Sequence, residues 1–171
     1  VGTNVFVPAL LTGNAVVYKP SEHAEGTGRA MARLLWKAGV PKSVFVPVFG
    51  AGRAGSELLD ADNDAVFFTG SVATGRKVAE AAARRLIKVQ LELGGKDPVY
   101  VAEDADPAKA GPAVADGAFY NAGQSCCAVE RVYVHAKVYD RFLPAFLAAV
   151  RGFKVGDPME KDTYLGPLAR A

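Results

Sequence analysis

Residues 13–48 read GNAVVYKPSEHAEGTGRAMARLLWKAGVPKSVFVPV. Gly13-Asn14 is a turn signal, and Ala15, Val16, Val17 and Tyr18 form a short apolar run that stops at Lys19-Pro20, the pattern of a buried strand. Ser21 is placed to cap the helix after it. Met31, Leu34, Leu35 and Ala38 fall at i, i+3, i+4 and i+7, which puts them on one helical face, and Gly39 with Pro41 ends the helix. Val44 to Val48 is the next strand.

The same alternation continues outward. A helix is expected near residues 53–60, a strand from Ala65 to Phe68, a helix from Ser71 to about Arg85, and a strand from Ile87 to Leu91. In the second long helix Gly75, Val78, Ala79, Ala82 and Leu86 make the apolar stripe. Short apolar strands alternating with helices imply an α/β fold, a Rossmann-like, mostly parallel sheet with helices on both faces. After Glu92 the pattern changes to Gly94-Gly95, a strand Pro98 to Val101, an acidic loop, a helix around 107–121, a glycine-containing segment 123–128 and a strand Arg131 to His135. A final helix carries Val138, Phe142, Ala145, Phe146 and Ala149 on one side. The double glycine marks the expected boundary, with residues 1–94 part of a dinucleotide-binding domain and 95–171 the start of a second α/β domain.

Composition narrows the partners. The 171 residues are 50% hydrophobic and 22% charged, enough to bury a real core. The net charge of +2 comes from 20 basic and 18 acidic residues without a like-charge run, which argues against nucleic acid. Charges or glycines interrupt every apolar run before the ~20 residues a bilayer span needs, so a soluble protein is expected, with no membrane partner. Cys126 and Cys127 are adjacent, which excludes a disulfide scaffold, and His23 and His135 lack the spacing of a zinc site, so no metal is expected. The chain starts at Val1 and stops at Ala171 within what reads as structured sequence, so both ends are expected to be cuts, with any targeting segment upstream.

Several segments have the residue types for chemistry, each beside a plainer reading. Residues 50–55 spell GAGRAG, a literal GxGxxG between strand and helix, which serves either a pyrophosphate or a tight turn. Thr69-Gly70-Ser71 followed by Gly75 forms a second strand-to-helix junction, either a phosphate site on free amides or a Ser-capped helix. Lys19 and Glu22, at the end of a strand, suit ribose hydroxyls or form a solvated pair. Cys126, among small residues, is a nucleophile if locally activated and otherwise a small hydrophobe. Glu92 ends an apolar strand beside exposing glycines, where an acid needs solvent, a partner or a use.

Together the segments PALLTGNAVVYKPSE (Pro8 to Glu22), FTGSVATG (Phe68 to Gly75), ELGGKDP (Glu92 to Pro98) and NAGQSC (Asn121 to Cys126) resemble the aldehyde dehydrogenase superfamily, in its order and over essentially the whole chain. The resemblance implies that Cys126 attacks an aldehyde, that the thiohemiacetal passes a hydride to the nicotinamide, and that Glu92 activates the water that hydrolyses the thioester to a carboxylic acid. It makes residues 95–171 part of the catalytic domain and Cys127 a neighbour without a catalytic role. Lys19 and Glu22 match the adenosine-ribose residues, Gly70 and Ser71, with Gly75 in the same motif, the pyrophosphate contact, and Thr69 and Leu93 the surroundings of the nicotinamide. A carboxylate at Glu22 favours NAD over NADP. Glu25 departs from the proline common there in relatives, and the GxGxxG ranks below Gly70-Ser71.

The resemblance also places an oxyanion-holding asparagine before Val1, and a second ribose-binding acid and oligomerisation strands beyond Ala171. The parent is thus expected to be a cytoplasmic homo-oligomer acting on a small-molecule aldehyde of unspecified chain length, and the piece alone inactive. Three rivals compete. Relatives that pass the thioester to coenzyme A or phosphate commonly lack the acid at Glu92; a cysteine hydrolase would need a histidine in an active-site loop; a non-catalytic relative would have lost the cysteine or the acid.

Overall fold

The computed structural model describes residues 2–169. The chain divides into two compact units, Val1–Leu93 and Gly94–Ala171. The fold is α/β, and every strand pair described is parallel, in ladders of two.

In the first unit a helix α1 (Gly2–Leu11) precedes strand β1 (Val16–Tyr18), which pairs with β2 (Phe45–Pro47) across helix α2 (Glu25–Lys37). Phe6, Ala32 and Phe45 are its buried apolar centre, with the Phe6 ring edge-on to both Tyr18 and Phe45. Sequence periodicity puts Leu34 on the inner face of α2, but Leu34 is 66% exposed. The reason is Gly28, where a Cβ would stand 2.6 Å from Pro20 Cγ: this position packs on the end of β1, so Ala32 is buried between Met31 and Leu35 while Leu34 and Ala38 face outward.

Helix α3 (Gly52–Asp60) leads to β3 (Ala65–Gly70), α4 (Val72–Arg85) and β4 (Lys88–Leu93), with β3 and β4 paired in parallel. Gly75, Val78 and Ala82 form the buried stripe of α4 as the sequence pattern requires. Leu86 leaves it: it is the left-handed residue closing the helix, at φ 56°, and is 93% exposed.

In the second unit β5 (Asp97–Val101) pairs with β6 (Val129–Val134), and α5 (Pro107–Phe119) packs on α6 (Ala136–Gly152). Val101, Val114, Val138 and Phe142 are the core. The ladder shifts register at Pro98, which has no N–H to donate, so Asp97 pairs with Val129 but Pro98 with Arg131. Asp106 caps α5 by accepting the Ala108 amide, and Pro107 sits in the first turn where its missing N–H costs nothing. The helix expected to run to residue 121 stops at Phe119, because Asn121 and Ala122 turn left-handed.

Candidate active site

At the end of β1, Lys19 Nζ donates to the carbonyl oxygens of Pro20 and Gly50, each at 2.8 Å, and lies 3.7 Å from the Glu22 carboxylate. One of its three donors therefore ties the end of β1 to the turn after β2, a second is taken by the neighbouring Pro20 carbonyl, and the third faces Glu22. Glu22 is exposed, and a hydrogen bond from its own backbone amide, aided by the Lys19 charge, holds its carboxyl below the usual range. Within the GxGxxG, only Gly50 needs glycine for its backbone, at φ 141°, and its carbonyl is held by Lys19. A Cβ at Gly55 would lie 3.6 Å from Lys19 Cε, an ordinary contact. This segment is built as a strand-to-helix turn.

The β3–β4 ladder brings together two segments that are distant in sequence. Thr69 stands opposite Glu92 and Gly70 opposite Leu93, at the carboxyl ends of parallel strands, where α/β proteins bind ligands. Ser71 caps α4, its hydroxyl accepting the Thr74 amide at 3.2 Å. The cap engages the hydroxyl but leaves the amides of Val72 and Ala73, which an α-helix does not pair internally. Gly75 is buried, its N–H donates to Ser71 O at 2.8 Å, and a Cβ on it would be 2.6 Å from Leu93 Cδ2. Its part is to let α4 close on Leu93. Glu92 is exposed on β4, where its Oε1 accepts a hydrogen bond from Gln90 at 3.1 Å.

In the second unit, Cys126 is exposed just before β6. The turn leading to it holds three successive positive φ angles, Asn121 at 52°, Ala122 at 55° and Gly123 at 71°. Asparagine and glycine tolerate this region, whereas alanine there is strained, a state found where surrounding structure imposes it. Two side-chain amides brace the turn: Asn121 Nδ2 donates to Gln124 O, and Gln124 Nε2 donates to Asn121 O. Gln124 Oε1 also accepts the Ala169 amide at 2.8 Å. Gly95 lies beside the Cys126 carbonyl, where a Cβ would meet its oxygen at 3.4 Å and Asp97 Oδ1 at 2.9 Å.

The Tyr120 hydroxyl, which no sequence motif singles out, donates to Ser125 Oγ and lies 3.1 Å from Cys127 Sγ. The Ser125 and Tyr120 hydroxyls hold the Cys127 thiol below its ordinary value, while the bond to Cys127 pushes Tyr120 up. No periodicity links Tyr120 to Ser125, since the contact depends on the left-handed turn between them. His135 is occupied as the cap of α6, its Nδ1 accepting the Lys137 amide at 3.3 Å.

Residues 1–171 match the aldehyde dehydrogenase family. The chain belongs to that family. It is 43% identical to betaine aldehyde dehydrogenase 2 of Rhizobium meliloti (strain 1021), covering 96% of this chain and 34% of that protein. It is 41% identical to a putative NADP(+) succinate-semialdehyde dehydrogenase 2 of Mycobacterium bovis (strain BCG / Pasteur 1173P2), over 95% of this chain and 31% of that one. Among solved structures, the NAD-dependent aldehyde dehydrogenase from Sinorhizobium meliloti superposes with a TM-score of 0.86 at 40% identity, over 91% of this chain and 31% of that chain. The chain thus spans about a third of the length of these aldehyde dehydrogenases. No described helix is long and apolar enough to cross a membrane.

Proposed function

We propose that this chain is the part of an NAD-dependent aldehyde dehydrogenase that carries the nucleophile, Cys126, and the general base, Glu92, and that the whole enzyme oxidises an aldehyde to a carboxylic acid. The observation that carries the reading is the exposed thiol of Cys126 at the end of the strained Asn121–Gly123 turn, a backbone geometry kept where a side chain must be presented.

The residues of the first unit fit a dinucleotide. Glu22, ionised and exposed, accepts from ribose hydroxyls, and Lys19 offers its remaining donor. Gly70, without a side chain, and the Val72 and Ala73 amides suit the pyrophosphate at a helix N-terminus, with Ser71 holding that terminus in place. Thr69 and Leu93 complete the nicotinamide end, and Gly75 lets Leu93 pack on α4. Bound NAD supplies the two-electron acceptor for the oxidation. The relatives include NAD- and NADP-named enzymes, and the choice of NAD rests on Glu22, whose carboxylate repels a 2′-phosphate.

Cys126, as thiolate, adds to the aldehyde carbonyl, and its own backbone N–H stabilises the oxyanion. Once the adduct is oxidised to a thioester, Glu92 takes a proton from the water that releases the acid. A hydrolase built on Cys126 and His135 is disfavoured: the length of β6 separates them by roughly 20 Å at 3.3 Å per residue, and His135 is a helix cap.

The test is aldehyde-dependent NADH formation by the full-length enzyme across a panel of aldehydes, with NAD and NADP separately. Cys126→Ala is expected to abolish it and Cys127→Ala to retain most of it. The reverse pattern would put the nucleophile one residue further on.

A further inference from the structure

Cys126 lies between two side chains that meet a single hydroxyl. Tyr120 OH donates to Ser125 Oγ and stands 3.1 Å from Cys127 Sγ, and Ser125 Oγ is itself 3.3 Å from that sulfur. The three polar atoms close a triangle. Two of its corners belong to the residues before and after the nucleophile, and the third to a phenol at the start of the turn.

Between Tyr120 and Ser125 the chain passes through Asn121 and Ala122 in left-handed conformations. A non-glycine residue holds that conformation only when its surroundings impose it. The Asn121 and Gln124 amides brace the middle of the turn. At residues 125–127 the side-chain hydrogen bonds run instead to Tyr120 and between Ser125 and Cys127. A phenol suits this task, because it has only two side-chain torsions to fix and the Tyr120 ring is half-buried.

We infer that Tyr120 is a positioning residue for the nucleophile: acting through Ser125 and Cys127, its hydroxyl fixes the backbone on both sides of Cys126. The inference rests on the assignment of Cys126 as nucleophile. The directions of titration agree with it, since Tyr120 keeps its proton more firmly and Cys127, beside the Ser125 and Tyr120 hydroxyls, gives its own up more readily, as expected of a sulfur held within this cluster. It also gives the second cysteine a part as an anchor for the loop. Because Cys127→Ala keeps the stronger oxygen-to-oxygen arm, its loss is expected to be smaller than that of Tyr120→Phe.

The experiment is a double-mutant cycle in the full-length enzyme with Tyr120→Phe, Ser125→Ala and the double variant. It reads the rate of the first-turnover NADH burst, the rate of Cys126 alkylation by iodoacetamide, and the affinity for NAD. Tyr120→Phe is expected to slow the burst and the alkylation about tenfold, the effect of losing an orienting hydrogen bond, with unchanged NAD affinity. Ser125→Ala should slow them comparably, and the double variant should be slower by less than the product of the two single losses, because the two side chains share one arm of the triangle. A Tyr120→Phe burst as fast as the parent's, or losses that multiply in the double variant, would overturn the inference. Should Tyr120→Phe fail to fold, Ser125→Ala alone decides, and an unimpaired burst in it is equally fatal. Cys126→Ala is run alongside. If it retains activity, the nucleophile assignment falls; if it is dead while Tyr120→Phe matches the parent, only the positioning role falls.

Discussion

Gly111 is where α5 and α6 touch most closely, and replacing it with alanine should loosen the second unit. A Cβ at this position would stand 2.7 Å from the Phe146 amide nitrogen, 2.8 Å from Ala145 Cβ and 2.9 Å from the Ala145 carbonyl carbon. To reach ordinary contact at about 3.5 Å, α6 would have to retreat by roughly three-quarters of an ångström. Two of the three clashing atoms are backbone, which cannot swing aside as a side-chain tip would. Overpacking of this kind costs about 1–3 kcal/mol, and the helix-propensity gain of alanine over glycine returns about 1 kcal/mol. Because two of the clashing atoms are backbone, the cost falls in the upper part of that range, about 2–3 kcal/mol, and the net expectation is a loss of about 1–2 kcal/mol. It is read as an apparent thermal midpoint a few degrees lower, at one fixed scan rate because a large enzyme is prone to unfold irreversibly. Because α5 runs directly into the turn that presents Cys126, the NADH burst of the variant should also slow. A Gly111→Ala enzyme as stable as the parent, or more so, would show that propensity alone operates and that the close helix contact is wrong.

Two single contacts lead to further expected outcomes. Glu22→Ser should narrow the preference for NAD over NADP, measured as the ratio of the two kcat/KM values, since it removes the charge that repels a 2′-phosphate; a parent enzyme that prefers NADP would defeat the role given to Glu22. Tyr164 donates to the Asp116 carboxylate, which pushes its phenol up to about 12. A raised folded value means the contact stabilises fully below the ordinary tyrosine range near pH 10 and is lost as the pH rises toward 12, so Tyr164→Phe should remove one late-titrating tyrosine from the ultraviolet titration and leave the enzyme's stability less steeply dependent on pH across pH 10–12.

The strand and helix alternation was legible because burial writes itself into apolar runs and stripes: β1, β3 and α4 appear where the pattern puts them. Helix α1 was not, because Gly2–Leu11 is apolar without a clear stripe and holds Pro8 in its interior. The rotation of α2 away from Leu34 depends on the contact of Gly28 with Pro20, which no window of sequence contains. The site divides in the same way. Cys126, Glu92 and the Lys19–Glu22 pair stand out by residue type and by the resemblance of their motifs. That Thr69 lies opposite Glu92, that Gly75 closes on Leu93, and that Tyr120 reaches Ser125 and Cys127 are consequences of register and of a left-handed turn, so they become visible only in three dimensions.

The proposed reaction passes the acyl group through Cys126 and releases it by way of Glu92. It is tested most directly by trapping that group on full-length Glu92→Gln enzyme, since an amide cannot take a proton from water at neutral pH. The variant is mixed with aldehyde and NAD, quenched in acid within seconds, and digested, and fragmentation of the peptide containing both cysteines locates the added mass. The expected result is an acyl group on Cys126, an NADH burst of about one equivalent per active site, and steady turnover lower by roughly 10²- to 10⁴-fold. An acyl group on Cys127, or an unmodified Cys126 with undiminished turnover, would contradict it.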